Sequence, residues 1–191
     1  MEADFQPFLQ QGIGGQAISL IIIDGYNVLG ILHGDMEKAR TGFIDLLIQY
    51  KKIRGHEITL VFDGYKNGPG REQALTRGGV RILYSGLGER ADDLIKRTIS
   101  ATRKEWIVVS SDRDIVRHAW AVSSIPVPSE IFLDTINRRI LDCDTGREAV
   151  EDEEAFPSRD DDDLYHDRPS GGNPHRTSRK DRALKKALSK L

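Results

Sequence analysis

The chain has 191 residues, with 30 acidic and 28 basic side chains, 38% apolar residues, one cysteine and a formal charge of −2. That length fits one domain with extensions, and the lone Cys143 excludes an internal disulfide or a Cys-based zinc site, so a soluble protein of a reducing, cytoplasmic compartment is expected. The longest apolar run, Ala17 to Ile23 with one serine, is far short of the ~20 residues that cross a bilayer, and Met1 to Gly15 lacks the cationic start of a signal peptide.

Residues 1–17 read as a flexible extension. Ile18 to Ile23 is an almost unbroken aliphatic run, as in a parallel strand covered on both faces. Asp35 is placed to cap a helix through about Arg54, with Ala39, Phe43, Leu46, Leu47 and Tyr50 at helical spacing and Gly55 as its stop. Ile58 to Phe62 and Val80 to Tyr84 predict two further strands. The polar, Gly- and Arg-containing stretch Gly64 to Gly79 between them reads as a mobile functional loop. Ala91 to about Thr102 predicts a helix, Trp106 to Val109 a strand, and Asp114 to Ala121 a helix. Ile125 to Val127 predicts a short strand that Pro126 confines to an edge, and Ser129 a cap for a last helix through Ile140. The alternation implies a three-layer α/β/α sandwich with a mostly parallel sheet, spanning residues 18–145.

The remaining residues, 146–191, segregate charge. Glu148 to Asp167 carries ten acids against Arg159, and Arg168 to Leu191 eight bases against Asp181. The acidic stretch has too few large apolar residues to form a core and reads as a linker. In the basic stretch Ala183, Leu184, Ala187, Leu188 and Leu191 recur as one helical face, which suits a solvated tail folding back on the acids or a basic arm on RNA.

Ligands of open α/β sheets bind outside the carboxyl ends of the strands. Three predicted strands have an aspartate at that end: Asp24 after Ile23, Asp63 after Phe62 and Asp112 after Val109-Ser110-Ser111, with Asp114 two positions on. Asp92 and Asp93 open a helix at the same edge. One such aspartate is often only a helix cap, and capping explains Asp93 and Asp114 equally well. Several together repel one another and call for a cation. Hard oxygen ligands without cysteine or clustered histidine favour Mg²⁺ or Mn²⁺ over zinc, and the chemistry that follows is metal-assisted phosphodiester hydrolysis. Neither a Walker-type phosphate loop nor a Gly-x-Ser-x-Gly elbow is present, and the five histidines show no ligand spacing.

Four strings, Ile23-Asp24-Gly25-Tyr26-Asn27-Val28, Val61-Phe62-Asp63-Gly64, Glu89-Arg90-Ala91-Asp92-Asp93-Leu94-Ile95 and Val109-Ser110-Ser111-Asp112-Arg113-Asp114, resemble in order and spacing the YacP-like NYN family of the PIN-like nuclease superfamily. The resemblance covers about Leu20 to Asp142. It implies a PIN-like fold, a divalent-metal site and endoribonuclease activity, with ribosome-associated mRNA as a target of some relatives. By motif it makes Asp24, Asp92 and Asp112 metal ligands and Asn27 an orienting group; Asn27 bonding its own backbone at a turn is the alternative. Asp63 and Asp93 become candidates for supporting a ligand or a second metal. Relatives commonly carry Thr where this chain has Arg90, whose guanidinium is suited to a phosphate. Arg71, Arg77, Arg90, Arg113 and Lys66 would form a basic rim for single-stranded RNA, with Tyr26 and Tyr65 available to stack bases. A non-catalytic RNA-binding or ribosome-docking module is the second reading, and another Mg²⁺-dependent phosphohydrolase or an acidic signalling domain the third.

Overall fold

Each aliphatic run forms a strand, and nearly every side chain on it is buried. In the computed structural model, which describes residues 18–32, 35–64, 71–102, 104–145 and 178–191, five strands pair in parallel: β1 (Leu20–Asp24), β2 (Glu57–Phe62), β4 (Val80–Tyr84), β5 (Trp106–Val109) and β6 (Ile125–Val127), with β3 (Gln73–Arg77) antiparallel to β4 at one edge. The order across the sheet is β3-β4-β2-β1-β5-β6. Pro126 sits on the far edge strand, where its missing N–H is tolerated.

Successive strand residues feed opposite faces. Ile21 and Ile23 join a core with Phe43, Leu47, Phe132 and Ile136, whereas Ile22 joins a second core with Leu94, Ile95, Ile115 and Ala119. The first lies against α1 (Gly25–Leu29), α2 (Met36–Arg54), α5 (Ser129–Thr145) and α6 (Arg179–Lys190). The second lies against α3 (Ala91–Ala101) and α4 (Arg113–Ala121). A three-layer α/β/α sandwich results, as the alternation of elements predicts. Asp35 caps α2 by accepting the Glu37 N–H at 3.0 Å, and Gly55 ends it in the left-handed region at φ 72°. No helix among the described residues is long and apolar enough to cross a membrane.

Two elements differ from the sequence expectation. The stretch Gly64 to Gly79 is not all loop. Its last part is β3, joined to β4 by the two-residue turn Gly78-Gly79, at φ 55° and 84°. Such turns need positive φ at both positions, and the Gly-Gly pair was the visible signal. The strand escaped because its five residues are all exposed and lack apolar alternation. Residues 65–70, including Tyr65 and Lys66, lie outside the described residues, as do the extension 1–17 and the acidic linker within 146–177.

The second difference is α6, which is a core element of the body rather than a solvated tail or a free arm. Ala187 and Leu191 are fully buried, and Ala183, Leu184 and Leu188 pack beside them. Tyr50 Oη–H donates to the Leu191 backbone oxygen at 2.6 Å, Arg54 donates to the Lys190 carbonyl at 3.1 Å, and Lys190 Nζ pairs with Glu105 at 3.0 Å. His56, fully buried, accepts the Ser19 N–H on Nδ1 at 3.3 Å and meets the Lys190 carbonyl through Nε2 at 2.9 Å. A carbonyl only accepts, so the ring is neutral with its proton on Nε2. Burial lowers its pKa from 6.5 to about 4.

Because the folded state disfavours protonated His56, the unfolded chain binds more protons between pH 6.5 and 4, and stability falls as pH drops through that window. We expect chemical denaturation to show a loss approaching about 3 kcal/mol across it from this residue. In His56→Gln, which keeps one acceptor and one donor, that part of the pH dependence should vanish; an unchanged slope would exclude His56 as its source.

Candidate active site

The carboxyl ends of β1, β2 and β5 meet the start of α3 at one edge of the sheet. There Asp24, Asp63, Asp92 and Asp112 line a single open cleft of about 220 Å³ with Tyr26, Asn27, Arg90 and Ala91. Three of these carboxylates stand at helix starts, where unpaired N–H groups and the helix dipole favour negative charge. Asp24 caps α1, Asp112 caps α4 and Asp92 lies in the first turn of α3.

Asp24 is the deepest, with 7% of its surface exposed. One oxygen accepts the Asn27 N–H at 3.2 Å and the other the Ser110 hydroxyl at 3.1 Å. Burial raises its pKa above the usual carboxylate value; those two hydrogen bonds oppose the shift, and the charges of Asp92 and Asp112 add to it. Asp112 accepts the N–H groups of Asp114 at 2.8 Å and Ile115 at 3.2 Å. Asp63, half-buried, accepts the Ser85 hydroxyl at 3.2 Å, and Ser85 Oγ also receives the Gly64 N–H at 3.1 Å. Asp92 pairs with Arg90 at 2.9 Å.

Asn27 does not bond its own backbone through its side chain. Its Oδ1 accepts the Ser111 N–H at 2.9 Å and the Ser129 hydroxyl at 2.6 Å, tying α1 to the β5–α4 turn and to the start of α5. The Ser129 hydroxyl is thus spent on Asn27 and not on a helix cap. Tyr26, 41% exposed, sets its ring edge-to-face on Phe62 at 5.4 Å, and Phe62 stacks on Tyr84 at 5.7 Å. Gly25 allows this packing, since a Cβ there would come within 2.3 Å of the Phe62 ring and 2.8 Å of the Val61 carbonyl.

Other expected residues fall elsewhere. Asp93 is exposed and does not line the cleft. Asp114 pairs with Lys96 on α3, and that hydrogen bond holds its carboxyl below the usual range. Arg71 and Arg113 lie exposed at the cleft's edge of the sheet without lining it. Arg77 is a correction: β3 runs antiparallel, so Arg77 pairs with Val80 at the opposite edge, where it bridges to Asp45 at 2.9 Å. Ser110 and Ser85 were missed as site residues; a serine directly after a strand, wholly apolar before Ser110 and apolar but for Arg81 before Ser85, was the available sign.

The donor set suits a hard divalent ion, being carboxylate throughout with no thiol or imidazole. Among the described residues, however, no group of three or more His, Cys, Asp or Glu is gathered closely enough to hold one.

A model of the YacP-like NYN domain matches residues 21–163, most of the chain. The chain belongs to the YacP-like NYN domain family. Members of the NYN family are in general nucleases that act on RNA. Among solved structures, the chain is similar to the crystal structure of Rae1 (YacP) from Bacillus subtilis, at 22% identity and a TM-score of 0.53 over 68% of this chain and 81% of that one. A mutant of the same protein gives 21% identity and a TM-score of 0.50 over 64% and 79%. At such identity the likeness is one of fold. No curated protein matches the chain. The NYN strings of the four motifs therefore correspond here to strand ends and helix starts around one cleft.

Removing the Asn27 carboxamide strands the Ser111 N–H and the Ser129 hydroxyl. Asn27→Ala should cost about 1–3 kcal/mol for the buried Ser129 hydroxyl left unsatisfied, and less for the exposed Ser111 N–H, which water can meet. Thermal unfolding would register this as a clear drop in Tm; a Tm equal to that of the parent would show that the tie carries no load.

Proposed function

We propose that the protein is a metal-dependent endoribonuclease that hydrolyses phosphodiester bonds of single-stranded RNA. The observation that carries the reading is the convergence of Asp24, Asp63, Asp92 and Asp112, from four separate parts of the chain, on one cleft. Asp24, Asp92 and Asp112 would hold Mg²⁺ or Mn²⁺, with Asp63 supporting that ion or a second one; Asp93 stands outside the cleft and has the weakest claim. The chemistry supplied by such an ion is polarisation of a phosphoryl oxygen and activation of water at neutral pH.

The chain's own residues supply the rest. Ser110 and the Asn27 N–H hold Asp24 in one orientation, so its free lone pairs point consistently. Asn27 fixes the β5–α4 turn and the start of α5 to α1, and its Nδ2 amide makes no hydrogen bond within the described residues, which suits it to donate to a phosphate. Arg71, Arg90 and Arg113 add positive charge around the acids and would hold the RNA backbone without reading sequence. Tyr26 offers a ring face to an unpaired base. Ribosome-associated mRNA enters this proposal through the family resemblance alone.

The spacing of the carboxylates favours a second reading, an RNA-binding module that does not turn over. Labelled single-stranded RNA separates the two. We expect cleavage in Mn²⁺ or Mg²⁺, stopped by EDTA, and slowed roughly 100-fold or more in Asp24→Asn and Asp112→Asn, since groups that merely support a ligand cost 10–100-fold. Asn caps helices as well as Asp does, so the Asp112 variant should fold. RNA capture that persists in EDTA without cleavage would select the binding module, and undiminished cutting by both variants would refute the site.

A further inference from the structure

We infer that Arg90 is an exchangeable partner of Asp92: it neutralises that carboxylate while no divalent ion is bound, and an ion that takes Asp92 frees it to grip a phosphate of the RNA. This deepens the nuclease reading and rests on it.

Arg90 Nη2 lies 2.9 Å from Asp92 Oδ2, and both residues line the cleft. The Arg90 side chain is 75% exposed, that of Asp92 20%. An ion pair with one member so open to water is weak, worth at most about a fivefold factor in an equilibrium constant, so a divalent cation can displace the guanidinium readily. Among the described residues no other ion pair or capping bond retains it. Arg90 is the N-cap residue of α3, yet its side chain makes no capping bond; the turn is closed by its backbone carbonyl, which accepts the N–H groups of Asp93 and Leu94.

Arg97, two helical turns further on, shows what a fixed arginine looks like at this edge. It is bound to Glu72 at 2.8 Å and to Glu89 at 3.0 Å. Among the described residues Arg90 pairs with one carboxylate, and that carboxylate is a proposed metal ligand. Once freed, its planar fork of donors matches two oxygens of a phosphate, at a helix start that already favours anions. Ion and RNA would then bind with positive coupling through one side chain.

Arg90→Thr should separate the two duties, and Thr is a better N-cap than Arg, so the helix is kept. Calorimetric titration of the RNA-free full chain with Mn²⁺ should show binding two- to fivefold tighter in the variant than in the parent. Its KM for labelled single-stranded RNA should rise about tenfold, as for loss of a charge-assisted contact. Arg90→Lys, which keeps the charge and loses the fork, should fall between the two on KM. Opposite shifts in one variant are the signature, since a merely structural role would weaken both. Mn²⁺ affinity that is unchanged or weaker in Arg90→Thr, or an unchanged KM, overturns the inference while leaving a cutting parent enzyme as a nuclease. Should the parent bind Mn²⁺ and not cut, the nuclease reading fails, and the RNA Kd in Mn²⁺ takes the place of KM in deciding on Arg90. A parent that binds no Mn²⁺ overturns both.

Discussion

Holding the Asp24 carboxylate out of water at the end of β1 is the constraint around which this edge of the sheet is built. A buried charge is tolerated only when its lone pairs are met. Here one oxygen takes a backbone N–H and the other a serine hydroxyl, and the balance still lies toward a raised pKa. The turn after β1 must therefore be tight enough to bring the Asn27 N–H back over Asp24. Gly25 permits that tightness, because any side chain there would collide with Phe62 and the Val61 carbonyl. Asn27 then spends its own oxygen on the β5–α4 turn and the start of α5. The Asp-Gly-Tyr-Asn sequence is thus one mechanical unit in which each residue serves its neighbour.

Strand order supplies the remaining geometry. The path from β1 leads to β2 on one side, and the path from β4 leads through α3 to β5 on the other. Crossovers leaving in opposite directions open a crevice at the carboxyl ends of the strands between them. Helices α1, α3 and α4 all begin at that edge, so their N–H groups partly offset the repulsion among the aspartates. The negative charge of the cleft is sustained by the fold's own dipoles before any ion is considered.

Much of this was readable in the sequence, for a physical reason. Runs such as Leu60-Val61-Phe62 and Trp106-Ile107-Val108-Val109 are apolar at every position, and only a doubly covered parallel strand accepts that pattern. The aspartates were visible because each ends such a run or opens a helix. The hairpin strand Gln73–Arg77 was hidden because exposed edge residues obey no hydrophobic period. Arg77 was misplaced with it, since sequence cannot tell which edge an antiparallel strand delivers its last residue to. Asn27 was seen but its partners were not: Ser111 and Ser129 lie 84 and 102 residues away, and no local pattern encodes a hydrogen bond of that reach. The apolar stripe of α6 was also visible, but its dense lysines and arginines drew the reading toward solvent, whereas its small apolar face is what the body buries.

That last helix has a bearing on how the protein comes to be made. Tyr50 meets Leu191 across 141 residues, and His56 meets Lys190 across 134. Contacts so distant form late, because the loop between them must close before they repay its entropy. On a translating ribosome adding roughly 5–20 residues per second, the sheet and its nearer helices can assemble while the groove for α6 is still wet. The nascent chain therefore passes through a stage in which Tyr50, His56 and the neighbouring wall stand open, until α6 has been made and docks against them.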